Sequence, residues 1–192
     1  MPPIILASSS RYRQQLLAKL KLPFQSFSPD IDECRIGKEK PDTMAARLAE
    51  SKAIVTAEKF KQHLIIASDQ VACLDNQILH KPGNRSRAIA QLQHQSGRQV
   101  SFYTAVSVYD SSRHTMKSDL DTCVVHFREL SLQQIEHYVD KERPFDCAGS
   151  FKSEALGIAL LKKIDGNDPN ALIGLPLIKL VTLLEQSGIQ IL

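Results

Sequence analysis

The stretch LASSSRYRQQLLAKLKL, Leu6 to Leu22, turns from strand into helix and decides the class of the fold. Upstream, Pro3–Ala7 is a short apolar run of the kind that forms a buried strand. After Ser10, the residues Leu16, Leu17 and Leu20 recur at helical spacing. Ser8, Ser9 and Ser10 occupy the junction, followed by Arg11, Tyr12 and Arg13. A helix N-terminus carries unpaired N–H groups and the positive end of the helix dipole, so it already attracts anions. Arginines in the first turn disfavour the helix electrostatically unless something negative binds there. A phosphate answers that description, and a strand that hands over to a helix at an anion site points to an α/β chain.

The rest of the chain repeats the alternation. Phe24–Ser28 alternates apolar and polar residues as a strand does. Pro41 and Asp42 open a long helical pattern, with Met44, Ala45, Leu48, Ala49, Ala53 and Ile54 at helical spacing, that runs to Phe60. His63–Asp75 reads as a strand with Asp69 and Gln70 in its middle, and Asp75-Asn76 as a turn. A helix over Asn84–Gln95 stops before Gly97; Val100–Tyr109 and Thr115–Phe127 read as strands joined by a turn at 111–114. Ser131 and Gln134 have the spacing of a capping box, and Pro144 follows that helix. Ile158–Ile164 reads as a strand broken by Gly166. Asp168-Pro169 fits an N-cap and first position of a last helix that ends near Ser187 and is stopped by Gly188. No repeat, low-complexity tract or linker interrupts the pattern, so a mixed sheet flanked by helices is expected in a single domain over residues 1–192.

Composition narrows the function. The chain of 192 residues is 43% apolar and 23% charged, ordinary for a globular protein, with a net charge of only +3. Lysines and arginines are scattered among 21 acids, which argues against a nucleic-acid partner. No apolar stretch approaches the ~20 residues of a membrane span, and MPPIILASSS lacks the basic region of a signal peptide. Cys34, Cys73, Cys123 and Cys147 form no CxxC pair; they read as free thiols of a reducing compartment, and the expected location is the cytoplasm.

The chemistry-bearing residues each allow two readings. Asp69 lies inside the apolar run IIASDQVA, where an acid must be paired, face solvent or meet a cation. Glu33 ends the acidic loop SPDIDE. Lys52, between Glu50 and Glu58, has the surroundings of a solvated helix face, and Lys81 precedes Pro82 and Gly83 in a loop. Together the parts suit one task. Mg²⁺ takes one or two carboxylates plus phosphate oxygens and water. Lysine and arginine neutralise the remaining phosphate charge, and an aspartate can activate water. That set describes metal-assisted hydrolysis of a nucleotide polyphosphate, although no Walker A or Rossmann glycine pattern is present.

Several motifs in order resemble the Maf, or septum formation inhibitor, family of nucleoside triphosphate pyrophosphatases: LASSSRYRQQLL near the start, DIDE at 30–33, ARLAESKA at 46–53, IIASDQV at 65–71, HKP at 80–82, CAGSFKSEALG at 147–157 and DPNALIGLPL at 168–177. The resemblance implies an elongated α/β fold with two lobes around a central cleft. It also implies a homodimer that uses a divalent cation (Mg²⁺, Mn²⁺ or Co²⁺) to cleave a nucleoside triphosphate to monophosphate and pyrophosphate. It assigns Asp69 as proton acceptor, Asp69 and Glu33 as the acids near the metal, and Ser8, Ser10, Arg13, Lys52 and Lys81 to the phosphates.

Arg11 stands where the commonest family pattern has a proline, and three further positions depart from it. Tyr12 replaces an arginine, Gln70 replaces a threonine, and Glu154 replaces a glutamine. These resemble the branch that acts on N7-methyl-GTP, which usually has tryptophan in place of Tyr12. Guanine carries adjacent N1–H and N2–H₂ donors that a carboxylate such as Glu154 accepts, and its N7-methylated ring is cationic, which an aromatic face attracts. The expected reaction is water attack on the α-phosphorus. A dTTP/UTP pyrophosphatase and a non-enzymatic nucleotide-binding regulator of cell division are the alternatives; Gln70 and Glu154 argue against the first.

Overall fold

The computed structural model describes residues 2–192. Strands and helices alternate as β1 (Ile4–Leu6), α1 (Arg11–Ala18), β2 (Phe24–Ser26), α2 (Pro41–Lys59), β3 (Leu64–Leu74), β4 (Gln77–Leu79), α3 (Arg85–Gln95), β5 (Gln99–Asp110), β6 (Thr115–Phe127), α4 (Leu132–Glu142), β7 (Leu161–Asp165) and α5 (Leu177–Gln186). The strands hydrogen-bond in the order β2-β1-β3-β5-β6-β7, with β4 paired to β3. The sheet is mixed: β1 runs parallel to β2 and β3, whereas β4 on β3 and β7 on β6 are antiparallel. The chain divides into two compact units: a first of Met1–Gln70, Thr104–Asp121 and Asp168–Leu192, and a second of Val71–Tyr103 and Thr122–Asn167.

In the first unit β1 is buried on both faces, which explains its unbroken apolar run. Ile4 and Leu6 pack with Leu16 and Leu17 of α1, Leu64 and Ile66 of β3, and Leu177, Leu180 and Leu184 of α5. Ile5 and Ala7 face the other way, onto Ala53 and Ala57 of α2 and Ile65 and Ala67 of β3. The strand is thus fixed between two helix layers, and whatever follows Ala7 inherits that rigidity. Ser10 is the N-cap of α1, its hydroxyl accepting from the Arg13 N–H at 3.4 Å.

The second unit is built around Phe102, Phe127 and Phe151. Phe151 meets each of the other two rings edge-to-face with centroids 5.5 Å apart, a geometry worth ~0.5–1.5 kcal/mol per pair beyond the area buried. The capping box expected at α4 is present: the Ser131 hydroxyl accepts from the Gln134 N–H, and the Gln134 side chain accepts from the Ser131 N–H.

Two expected elements differ. Residues 156–160 form a short 3₁₀ turn, and the strand begins only at Leu161. Gly157 imposes this, because a side chain there would collide with the Lys152 carbonyl and the backbone must fold back on itself. The last helix does not start at Asp168-Pro169; residues 168–176 are turns, and α5 begins at Leu177 after Pro176. Asp168 still caps that helix, but from ten residues away, its Oδ2 accepting from the Ile178 N–H at 2.7 Å. Strand β4 is an addition: Asp75 and Asn76 both adopt positive φ, the hairpin-turn conformation that returns the chain onto β3.

Candidate active site

In the first unit three elements bring charge together. Asp69 stands on β3 and is 8% exposed. Lys52 of α2 donates to its Oδ1 at 2.5 Å and lies 2.7 Å from Glu33 Oε1. The expectation of a solvated face for Lys52 is therefore corrected: Lys52 is 8% exposed and shares the inward stripe of Leu48, Ala49, Ala53 and Thr56. Helical spacing explains it, since 48, 52 and 56 recur one turn apart on the face that packs on the sheet. Glu33 stays at the rim, its side chain 59% exposed. One ammonium thus bridges a buried carboxylate and a surface one.

The acidic loop that carries Glu33 is anchored by α2. Arg47 forks onto Glu39 at 2.7 and 2.9 Å and donates to the Cys34 carbonyl at 3.0 Å. The Glu39 carboxyl is held below its ordinary value, first by the Arg47 hydrogen bond.

Arg13 enters from α1. It is half-buried, and its Nε donates to the Gly174 carbonyl at 2.8 Å. Burial pushes the guanidinium below its ordinary value, and Asp69 and then Glu33 oppose that shift through their charge; an arginine remains a cation regardless. At the same junction the Ser8 hydroxyl accepts from the Ser10 N–H at 3.1 Å, folding the serine turn around the helix start. Tyr12 is half-buried on α1.

Gln70 follows Asp69 on β3, and its Nε2 donates to Thr104 Oγ1 and the carbonyls of Ala171 and Leu172 at 3.0, 3.0 and 3.1 Å.

The first unit thus unites Ser8, Ser10, Tyr12, Arg13, Glu33, Lys52, Asp69 and Gln70. Lys81 and Glu154 belong to the second unit, and both are exposed. Lys81 follows His80, whose carbonyl accepts from Gln91 at 2.9 Å. Glu154 sits on a tight turn held by the Lys152 N–H on the Tyr138 hydroxyl at 2.9 Å and by Lys152 Nζ on the Glu142 carbonyl at 2.9 Å. Among the described residues no group of three or more His, Cys, Asp or Glu side chains is placed to hold a metal.

A family model described as Maf-like protein matches residues 3–187. The chain belongs to the Maf-like family. Three full-length relatives carry the name 7-methyl-GTP pyrophosphatase. The Vibrio vulnificus protein is 52% identical over 98% of this chain and 97% of its own. That of Nitrosococcus oceani is 50% identical over 100% and 96%, and that of Pseudomonas aeruginosa 48% identical over 100% of both chains. The sequence singles out neither Ser68, whose hydroxyl donates to the Gly174 carbonyl at 2.9 Å, nor Asp168 as a buried anchor, nor Gly174 as an acceptor for Arg13. The DPNALIGLPL motif was the available signal for the last two. Ser68 gave none, because it is one small residue in an apolar run.

Proposed function

We propose that this chain hydrolyses 7-methyl-GTP to the nucleoside monophosphate and pyrophosphate, by water attack on the α-phosphorus. The observation that carries the reading is the bridge from Lys52 to Asp69 and Glu33, with Arg13 in electrostatic reach of the same two carboxylates. The names of its full-length relatives support the substrate.

Asp69, whose Oδ1 is taken by Lys52, keeps a second oxygen to accept a proton from water. Lys52 and Arg13 serve as the fixed cations for the phosphates, with Ser8 and Ser10 at the helix start and Lys81 of the second unit assigned to the same anion. Within the first unit two cations, Lys52 and Arg13, face two carboxylates, Asp69 and Glu33, which leaves no surplus positive charge there for a triphosphate. A divalent cation (Mg²⁺, Mn²⁺ or Co²⁺) is therefore part of the proposal. Asp69 and Glu33 are hard oxygen donors of the number such a cation takes when phosphate and water complete its shell, and they would hold it. When bound, it supplies neutralisation of phosphate charge.

Tyr12, Gln70 and Glu154 are assigned to the base: Glu154 accepts from the guanine edge, and the Tyr12 ring faces the cationic methylated ring. We further propose a cytoplasmic homodimer. The four cysteines form no CxxC pair, and no helix among the described residues is long and apolar enough to cross a membrane. Light scattering on purified protein tests the dimer.

A panel of 7-methyl-GTP, GTP, dTTP, UTP and CTP, with and without EDTA, tests the reaction. Pyrophosphate release should be fastest from 7-methyl-GTP and abolished by EDTA. Asp69→Asn should lower it by ~10²–10⁴-fold, the size of a lost general base. A folded Asp69→Asn protein within a few-fold of wild type would refute the assignment.

A further inference from the structure

The motif DPNALIGLPL includes no residue assigned above to substrate, yet its backbone touches two that are. The Gly174 carbonyl accepts from Arg13 Nε at 2.8 Å and from the hydroxyl of Ser68, the neighbour of Asp69, at 2.9 Å. The carbonyls of Ala171 and Leu172 accept from Gln70 Nε2, as does Thr104 Oγ1, which itself donates to the Ala171 carbonyl at 3.0 Å. The segment is folded to present those oxygens. Gly174 has φ +124°, a backbone conformation that other residues rarely adopt, and it lies in contact range of Arg13, a Cβ there standing 3.5 Å from its Nε. Its N–H closes the turn onto the carbonyls of Asn170 and Ala171 at 3.2 and 2.9 Å. Asp168, 2% exposed, ties both ends: Oδ1 accepts from the Asn170 N–H at 2.8 Å and Oδ2 from the Ile178 N–H of α5 at 2.7 Å.

We propose that residues 168–174 form a carbonyl clamp that fixes how Arg13 and Gln70 meet a nucleotide, with Asp168 and Thr104 as its positioning residues. The inference rests on the function proposed above, in which those two side chains face the substrate. Holding Arg13 by Nε leaves its two terminal NH₂ groups, a planar pair of donors, for phosphate oxygens. Holding Gln70 by Nε2 has a sharper consequence. The amide has two hydrogens and three acceptors within 3.1 Å, so both hydrogens are engaged. Only Oε1 is left for a ligand, and Gln70 becomes an acceptor with no donor to offer. It then favours a base edge that bears adjacent N–H groups, as guanine does at N1 and N2, over cytosine, whose single donor, N4–H₂, is accepted but whose neighbouring N3 acceptor is left without a donor. A glutamine free to rotate would serve either.

The test compares kcat/KM for 7-methyl-GTP and CTP in wild type, Asp168→Asn and Thr104→Val, together with calorimetric Kd values for the corresponding α,β-methylene analogues. Thr104→Val removes one acceptor from the Gln70 amide and also the hydroxyl that holds the Ala171 carbonyl, so the amide loses one acceptor and the fixed position of a second; it should shrink the 7-methyl-GTP to CTP ratio by about threefold to tenfold, the size of one hydrogen bond. Asp168→Asn places an NH₂ against a backbone donor and loosens the whole segment. It should shrink the ratio about tenfold and also weaken both nucleotides through Arg13. A purely structural role lowers both substrates equally and leaves the ratio alone. If Asp168→Asn yields no folded protein, Thr104→Val decides by the same criterion. Ratios unchanged within twofold in the folded variants of an active wild type overturn the clamp alone. A wild type that neither binds nor cleaves either nucleotide overturns the proposed function.

Discussion

Replacing Lys52 with methionine keeps the length of the side chain and removes the ammonium. Its consequence follows from how unequally the two carboxylates are exposed. The side chains of Lys52 and Asp69 are 10% and 11% exposed, against 59% for Glu33. Removing one member of a buried ion pair strands the other charge and typically costs ~3–5 kcal/mol. The Glu33 arm is screened by water and contributes at most ~1 kcal/mol. Lys52→Met should therefore destabilise the protein by about 3 kcal/mol, whereas Glu33→Gln should stay within about 1 kcal/mol. For a chain of this size that is roughly a 6–12 °C fall in Tm for Lys52→Met. Adding Asp69→Asn to Lys52→Met removes the stranded charge and should recover more than half of the loss. Urea unfolding and thermal melts without added metal read all four proteins. Equal effects of Lys52→Met and Glu33→Gln would refute the argument, since the bridge would then be no more buried at one end than at the other.

Asp121 is 2% exposed, and its Oδ1 has no hydrogen-bond partner. Burial holds its carboxyl above the ordinary 3.8, Lys179 opposes this, and Asp168 and Asp119 add to it. Its contribution to stability is thus complete below the unfolded-state value and is lost as pH rises through the raised one. Asp121→Asn should gain Tm relative to wild type from acid to neutral pH; a pH-independent difference contradicts this. Tyr12→Leu should lower the 7-methyl-GTP to GTP ratio of kcat/KM by a few-fold to tenfold, from a cation–π contribution of ~0.5–2 kcal/mol, and a level ratio would leave Tyr12 as a packing residue. Glu154→Gln should lose ~1–3 kcal/mol of preference for guanine nucleotides, read as an altered ranking across the substrate panel.

The strand-to-helix junction was legible because its signals are local. Apolar runs, the Ser10 cap and the Ser131–Gln134 box depend on neighbours within a turn, and the structure places them within a residue or two. The long helix was equally legible, but not the fate of Lys52 on it. Glu50 and Glu58 suggested a solvated face, while the partners that bury the ammonium, Asp69 and Glu33, are 17 and 19 residues away in the chain. The DPNALIGLPL segment misled for the opposite reason. Asp168-Pro169 has the local grammar of a helix start, and the capping is real, but Gly174 inserts a turn between the cap and its helix. Contacts made by backbone carbonyls, such as those holding Arg13 and Gln70, leave no mark in residue types and emerge only from coordinates.

Hydrolysis of 7-methyl-GTP at the α-phosphorus is read from ³¹P NMR of the products formed in ¹⁸O-labelled water. Attack there gives two products, pyrophosphate without label and 7-methyl-GMP with one ¹⁸O on its phosphate. Release of orthophosphate, or label carried by the pyrophosphate, would contradict it.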